Sequence, residues 1–392
     1  MPALLTRWAI TQNRASEAVM TAQLYDIVDR QQAFEVDLAR LTDFSLGVPL
    51  EVPEDMAISS PDWTLYCMDF GRELAVFVEL PSGTDLATPV FIHAMQFTQA
   101  RRVITMPLNT MIALADKAPP LPELAIIFNT GRCGSTLTSR ILGQIPGVWS
   151  LSEPEYLTNI AFARRELDPG RAKALIVAGT RLLCRPPLGM KVDTVVIKPR
   201  SESIAIAEWV VQALPQARHA FLYRDAEGYA NSLHQFAQRI MGDAYGQPES
   251  WRAVYYFPSI NGPLSLLDDY IGKAPADVLN YEMHTMTWLL RIEGYLAALA
   301  QGVPFTALHY RDLNEDRPVG TRALLKACGI PETHLDLALH GFDKDAHEGS
   351  ATANATPAKS LTAEERSGIQ SMLRRLGRTD YRNTRLPSQS AV

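Results

Sequence analysis

Four short runs of apolar residues constrain this chain more than any other feature. They are Leu124-Ala-Ile-Ile-Phe128, Val195-Val-Ile197, Ala220-Phe-Leu-Tyr223 and Phe305-Thr-Ala-Leu-His309. A half-exposed strand alternates apolar and polar residues, whereas a strand covered on both faces reads as a continuous run of this kind. Helical patterns lie between them. From Ser135, residues Leu137, Ile141, Leu142 and Ile145 share one face until Pro146 stops the run. A second helix is expected from Ser203 to Leu214, a third after Asp225, which can cap it, and an amphipathic one from about Met283 to Ala300. Strands alternating with helices at this spacing predict an α/β fold with a parallel, doubly wound sheet.

The first 118 residues have a different texture. A polar-apolar helical stretch opens the chain, and three strand-like runs follow: Trp63 to Phe70, Leu74 to Leu80 and Val90 to Met95. Gly71, Pro81-Ser-Gly83, Pro89 and Pro107 punctuate them as turns. This region predicts a smaller α+β domain, and no motif in it names a chemistry. The tandem prolines of Ala118-Pro-Pro-Leu-Pro122 favour extended backbone and mark a linker, so the expected units are 1–118 and 119–392. Near the end, a polar, small-residue stretch from Phe342 to Lys359 is either disordered or a loop that covers a ligand. A charged helix, Leu361 to Leu376, follows it.

Composition closes off several classes. With 47% hydrophobic and 20% charged residues, wholesale disorder is excluded. A net charge of -6 argues against non-specific binding to nucleic acid. No apolar run approaches the ~18 residues of a membrane span, and the N-terminus lacks the apolar core of a secretory signal. Cys67, Cys133, Cys184 and Cys328 show no CxxC spacing, and the eight histidines include no HxxxH pair, so neither zinc nor disulfides are expected. These features predict a soluble, reduced, cytoplasmic protein with no integral membrane segment.

The segment Phe128-Asn-Thr-Gly-Arg-Cys-Gly-Ser-Thr-Leu137 carries the most chemistry. A buried strand runs into two glycines three apart, then two hydroxyl residues, then a helix. Such a turn points successive N–H groups into one concavity at a helix N-terminus with about half a positive charge. Arg132 adds a guanidinium, and Ser135 and Thr136 add hydroxyls. The turn suits a phosphate, though a ligand-free tight turn uses the same residues. It contains neither a Walker A loop, which needs GxxxxGK[ST], nor the GxGxxG of a dinucleotide site.

With three further segments, this turn resembles the sulfotransferases that use 3′-phosphoadenosine 5′-phosphosulfate. Thr130-Gly-Arg-Cys-Gly-Ser-Thr136 is similar to the family's 5′-phosphosulfate loop, with arginine where many members have lysine. Val196-Ile-Lys-Pro199 resembles the strand that carries a lysine and a proline beside the substrate. Tyr223-Arg-Asp-Ala-Glu-Gly-Tyr-Ala-Asn-Ser-Leu233 resembles the 3′-phosphate segment, and His309 to Pro318 with Leu324 to Pro331 resembles a late Tyr-Glu-Asp-Leu … Gly-Leu-Pro stretch. The resemblance runs from Leu124 to the C-terminal helix and leaves 1–118 outside it.

It implies a sulfotransferase with the nucleotide donor as co-substrate and no metal. The donor would be held by Gly131, Arg132, Cys133, Gly134, Ser135 and Thr136 at one phosphate, by Arg224 and Ser232 at the other, and by Tyr310 at adenine. Lys198 and Arg132 would stabilise charge on the departing oxygen, and Glu153 would be the base. Glu155 is the alternative base, because the histidine some members carry after the strand lysine is missing from Lys198-Pro199-Arg200. The acceptor, a small molecule, glycan or lipid, is not named by any motif. Tyr245, Trp251, Tyr255, Tyr256 and Phe257 suggest a flat or apolar one. A phosphoryl-transfer enzyme and a non-catalytic nucleotide-binding protein are the competing classes. His309 reads as a core residue, Gly349-Ser-Ala-Thr352 as a possible cover for the 3′-phosphate, and Lys359 as a minor basic contact.

Overall fold

The computed structural model describes residues 21–32, 38–241, 280–343, 361–375, 377–378 and 385–388. The opening helical stretch, the aromatic group at 245–257 and the 344–360 segment with Gly349, Thr352 and Lys359 lie outside them.

Strands β1 (Ala22–Arg30), β2 (Phe44–Leu46), β3 (Leu50–Val52), β4 (Trp63–Asp69), β5 (Leu74–Glu79) and β6 (Arg102–Pro107) form an antiparallel sheet. Its order is β2-β1-β6-β5-β4, with β3 pairing β1. Helices α1 (Ile92–Gln99) and α2 (Leu108–Ala115) complete this half. The run Val90–Met95, expected as a strand, is a correction: it contributes the start of α1, with Phe91 at the N-cap. Packing overrides β-propensity here. Ile92 and Gln96 share the buried side of the helix, and the Gln96 amide donates to Thr64 Oγ1 at 2.9 Å and to the Leu65 carbonyl at 3.0 Å.

The second sheet holds β7 (Glu123–Asn129), β8 (Val148–Ser152), β9 (Thr194–Lys198), β10 (Arg218–Tyr223) and β11 (Phe305–His309), all parallel, in the order β11-β10-β7-β9-β8. The doubly wound α/β architecture expected from the apolar runs is therefore present. Its connections include α3 (Ser135–Leu142), α4 (Glu155–Ala163), α5 (Pro169–Leu183), α6 (Ala207–Ala213), α7 (Ala226–Met241) and α8 (Asn280–Ala300). After β11 come α9 (Tyr310–Glu315), α10 (Arg317–Cys328), α11 (Leu335–Leu339) and α12 (Ala363–Arg375). The helix expected from Ser203 opens as a 3-10 turn, Ser201–Ile206, before α6 begins. Helix α5 is capped by Asp168, which accepts from Arg171 N at 3.0 Å, and Pro169 sits at its first helical position.

One face of the parallel sheet buries Ala125, Ile127, Val196 and Leu222 against Ile141, Leu142, Leu324 and Leu325. The other face joins a core that continues into the N-terminal sheet, so Leu65, Phe77 and Ile104 belong with Ile126, Phe128 and Phe221. Strand β4 packs on α4 and α5, and α2 packs on α5. Polar ties follow the same seam: Met68 N donates to Asn159 Oδ1 at 2.9 Å and Trp149 Nε1 to Asp85 Oδ1 at 2.7 Å. At the far edge, residues 385–388 cover β11, with Leu386 N donating to Tyr223 Oη at 2.9 Å and Ala307 N to Ser388 Oγ at 3.1 Å. Among the described residues no helix is long and apolar enough to cross a membrane.

Candidate functional site

The carboxyl ends of the parallel strands converge on the 130–136 turn, where a doubly wound sheet places its ligands. Asn129, the buried last residue of β7, ties the start of the turn to the end of β9. Its Nδ2 donates to the Pro199 carbonyl at 2.9 Å, and its Oδ1 accepts from Gly131 N at 2.8 Å. Gly131, Arg132 and Gly134 then take φ values of 76°, 50° and 78°. Left-handed backbone of this kind aims neighbouring N–H groups into a concavity. Gly134 is also the N-cap of α3, whose first turn has no side-chain cap. Its N–H groups therefore stay available to an anion. A Cβ on Gly134 would lie 2.6 Å from the Tyr310 ring, so the close approach of that ring requires glycine.

The side chains of the turn divide in two directions. Cys133 is buried, its Sγ 3.4 Å from the Leu222 carbonyl, and burial pushes its thiol up. It offers a ligand only backbone. Arg132 turns the other way: its Nε donates to Ser232 Oγ at 3.1 Å, and its guanidinium sits 4.9 Å from the centre of the Phe236 ring. Arg224, just past β10, reaches back so that Nη1 donates to the Arg132 carbonyl at 3.4 Å, while its guanidinium stacks 4.7 Å from the Tyr310 ring centre. A Cβ on Gly228 would fall on Arg224, so that glycine makes room for the guanidinium. Asp225 caps α7 as expected, accepting from Gly228 N at 2.7 Å. Arg132, Arg224, Ser232 and Tyr310 thus form one contiguous group with the turn.

The tips of β8 and β9 supply the remaining charges. Register pairs Ser152 with Lys198, and Glu153 N donates to the Lys198 carbonyl at 2.7 Å. At Glu153 the backbone turns left-handed, φ 56°, which sends its carboxylate to Lys198 Nζ at 2.8 Å. Only three non-glycine residues among those described have positive φ, and Arg132 and Glu153 are two of them. Each costs about 1–3 kcal/mol, and such residues gather at functional sites. The Lys198 side chain is 1% exposed and that of Glu153 20%, so the ammonium is enclosed while the carboxylate keeps an open side. Lys198 also lies near enough to Cys133 to pull against the upward push on its thiol.

Two residues further on, Glu155 begins α4 with its side chain fully buried and accepts from Arg200 Nη2 at 2.8 Å. Burial pushes Glu155 up to about 7, against the opposing pull of Arg200. Burial also works against the Arg200 charge, but Glu155, Glu153 and Glu202 outweigh it and hold the guanidinium above its ordinary value. Beneath the turn, Arg291 donates from Nε to Ser201 Oγ at 3.2 Å and from Nη2 to Glu202 at 2.5 Å. Ser201 Oγ lies 3.4 Å from where a Gly131 Cβ would stand.

Asn129, Arg200, Ser201 and Arg291 were not among the residues expected from sequence. Asn129 left a signal there, an amide ending an otherwise apolar strand just before the glycine turn. His309 is half-buried, and its Nδ1 accepts from Arg311 N at 3.0 Å to cap α9. Among the described residues, no group of three or more His, Cys, Asp or Glu side chains could hold a metal ion.

No protein-family model matches the chain. No curated protein matches it either. Solved structures similar to it include three sulfotransferases. The sulfotransferase STF9 from Mycobacterium avium is 15% identical, with 66% of this chain and 76% of that one covered and a TM-score of 0.39. The sulfotransferase domain from the curacin biosynthetic pathway is 14% identical, over 69% of this chain and 100% of that one, at 0.34. A sulfotransferase from Alicyclobacillus acidocaldarius is 13% identical, over 67% and 95%, at 0.35.

Proposed function

We propose that this chain is a sulfotransferase that moves a sulfuryl group from 3′-phosphoadenosine 5′-phosphosulfate to a hydroxyl or amine. The observation that carries the reading is the joining of two anion-binding groups at one sheet end: the left-handed turn at 131–134, and the Arg132–Ser232–Arg224 group beside it. A donor with phosphates at both ends of an adenosine needs both. The turn's N–H groups would hold the 5′-phosphosulfate, Arg224 and Ser232 the 3′-phosphate, and Tyr310 the base. Arg132, Lys198 and Arg224 bring positive charge to the same sheet end, which suits a donor with anionic groups at both ends.

In the transfer, the acceptor oxygen attacks sulfur in line with the bridging oxygen to phosphate. The new O–S bond forms as the old one breaks. Glu153 accepts the acceptor's proton, and the positive charges of Lys198 and Arg132 balance the departing phosphate oxygen. The work of the protein is positioning and fixed charge, as in phosphoryl transfer. The ion pair with Lys198 aims the Glu153 carboxylate while one side stays open to the acceptor. Glu155, enclosed against Arg200, has no such open side, so Glu153 is the better base.

Calorimetric titration with 3′-phosphoadenosine 5′-phosphate, beside ATP plus magnesium, tests the reading. Tight metal-independent binding of the bisphosphate with little response to ATP is expected. Preference for ATP and magnesium would instead place the protein among phosphoryl-transfer enzymes.

A further inference from the structure

The N-terminal half, which shares no motif with the transfer site, reaches into it. His93, in the first turn of α1, is 1% exposed and lies with Nε2 3.0 Å from Arg200 Nη2. A guanidinium has only donors, so Nε2 must accept, and the ring is neutral with its proton on Nδ1. Phe91, at the N-cap of the same helix, places its ring centre 5.9 Å from Lys198 Nζ and 5.8 Å from the His93 ring. The Ala39 backbone favours the ionised form of Glu155 from a third side. Near it, Tyr66 donates to Asp43 Oδ2 at 2.6 Å, which closes the seam around the buried carboxylate.

The ends of β8 and β9 are thus joined by two ion pairs in succession, Glu153 with Lys198 and Glu155 with Arg200. The first faces the reaction; the second is enclosed by the N-terminal half.

We infer that His93 is a positioning residue of the transfer site, lent by the N-terminal half: its Nε2 fixes the Arg200 guanidinium against Glu155, and that pair sets the Glu153–Lys198 geometry. The inference rests on the transfer reading above for its consequence in turnover, but the His93–Arg200 contact can be tested without it. Around metal ligands, orienting partners change activity by about ten- to a hundredfold, and an effect of that scale is expected here.

Two arms decide it. In the first, donor turnover is followed as 3′-phosphoadenosine 5′-phosphate formed, with 2-naphthol or water as the acceptor. His93→Leu is expected to lower turnover at least tenfold with bisphosphate affinity changed less than twofold. His93→Gln, whose Oε1 can accept in place of Nε2, should keep at least half the wild-type rate. Full turnover in His93→Leu, or a His93→Gln protein as slow as the leucine variant with an unchanged melting point, overturns the inference. The second arm uses ¹⁵N-histidine NMR on the whole chain, with His93 assigned by its loss in His93→Gln. The Nδ1–H tautomer is expected, replaced in Arg200→Met and shifted in Glu153→Gln. An Nε2–H tautomer, or no response to either variant, overturns it. A wild type that binds no bisphosphate and turns over no donor defeats the sulfuryl reading alone, and the second arm still decides the placement of His93.

Discussion

Replacing Gly134 with alanine tests whether the left-handed turn after β7 is built as described. At φ 78° an L-residue costs about 1–2 kcal/mol. The new Cβ would also stand 2.6 Å from Tyr310, inside contact distance, so the ring must move off Arg224. Losing that cation–π contact costs about 0.5–1 kcal/mol more. Gly131 is an internal control: its φ is 76°, but its Cβ would meet Ser201 at 3.4 Å and the Tyr229 ring at 3.9 Å, ordinary contacts. In denaturant unfolding, Gly131→Ala should therefore lose about 1–2 kcal/mol and Gly134→Ala about 1.5–3. Calorimetry should show at least tenfold weaker bisphosphate binding for Gly134→Ala, because the ring and the turn N–H groups shift together. A double-mutant cycle completes the test: in a Tyr310→Leu background the excess cost at 134 should shrink toward that at 131. Equal losses at the two glycines in the wild-type background would refute the packing of Tyr310 on the turn.

Glu153→Gln should cut turnover by roughly 10²–10⁴ while bisphosphate binding stays within about twofold; near-normal turnover would remove Glu153 as the base. Glu155, raised from 4.5 to about 7 by burial, contributes stability that is present below pH 4.5 and is lost as pH rises through 7. The melting-point difference between wild type and Glu155→Gln should therefore fall across that window, and a flat difference would count against the buried carboxyl. His219 has the opposite sign. Burial lowers it from 6.5 to about 4, so its contribution is present above pH 6.5 and is lost as pH falls toward 4. His219→Phe should flatten that acid limb in the same melting series. All four cysteines are buried, so a thiol reagent should label the native protein slowly and all four positions only after unfolding.

The parallel sheet was legible because its strands are apolar on both faces, and Phe305–His309 falls where the sequence put it. The left-handed turn after β7 was legible because glycines with required left-handed backbone leave a spacing in the sequence. Helix α1 was not, since Val90–Met95 carries strand-forming residues and only its packing against Thr64 and Leu65 makes it helical. The His93–Arg200 contact was invisible for a related reason: its partners are 107 positions apart, in halves that share no motif. Glu153 could be placed at a strand tip, but its left-handed backbone, which turns it onto Lys198, has no signature in a glutamate between serine and proline.

The continuous core that joins the two sheets has a consequence for how the chain comes into being. The antiparallel sheet is synthesised first, yet the surface that covers β4 and α2 belongs to α4 and α5, which follow it. Until those helices emerge, the nascent sheet presents an uncovered apolar flank, and unburied surface of this kind is what chaperones bind and aggregates grow from. Expressing 119–392 alone would leave the reverse of that flank bare on α4 and α5. The proline-rich segment between the halves marks a change of texture in the sequence, but a cut there would divide a single core.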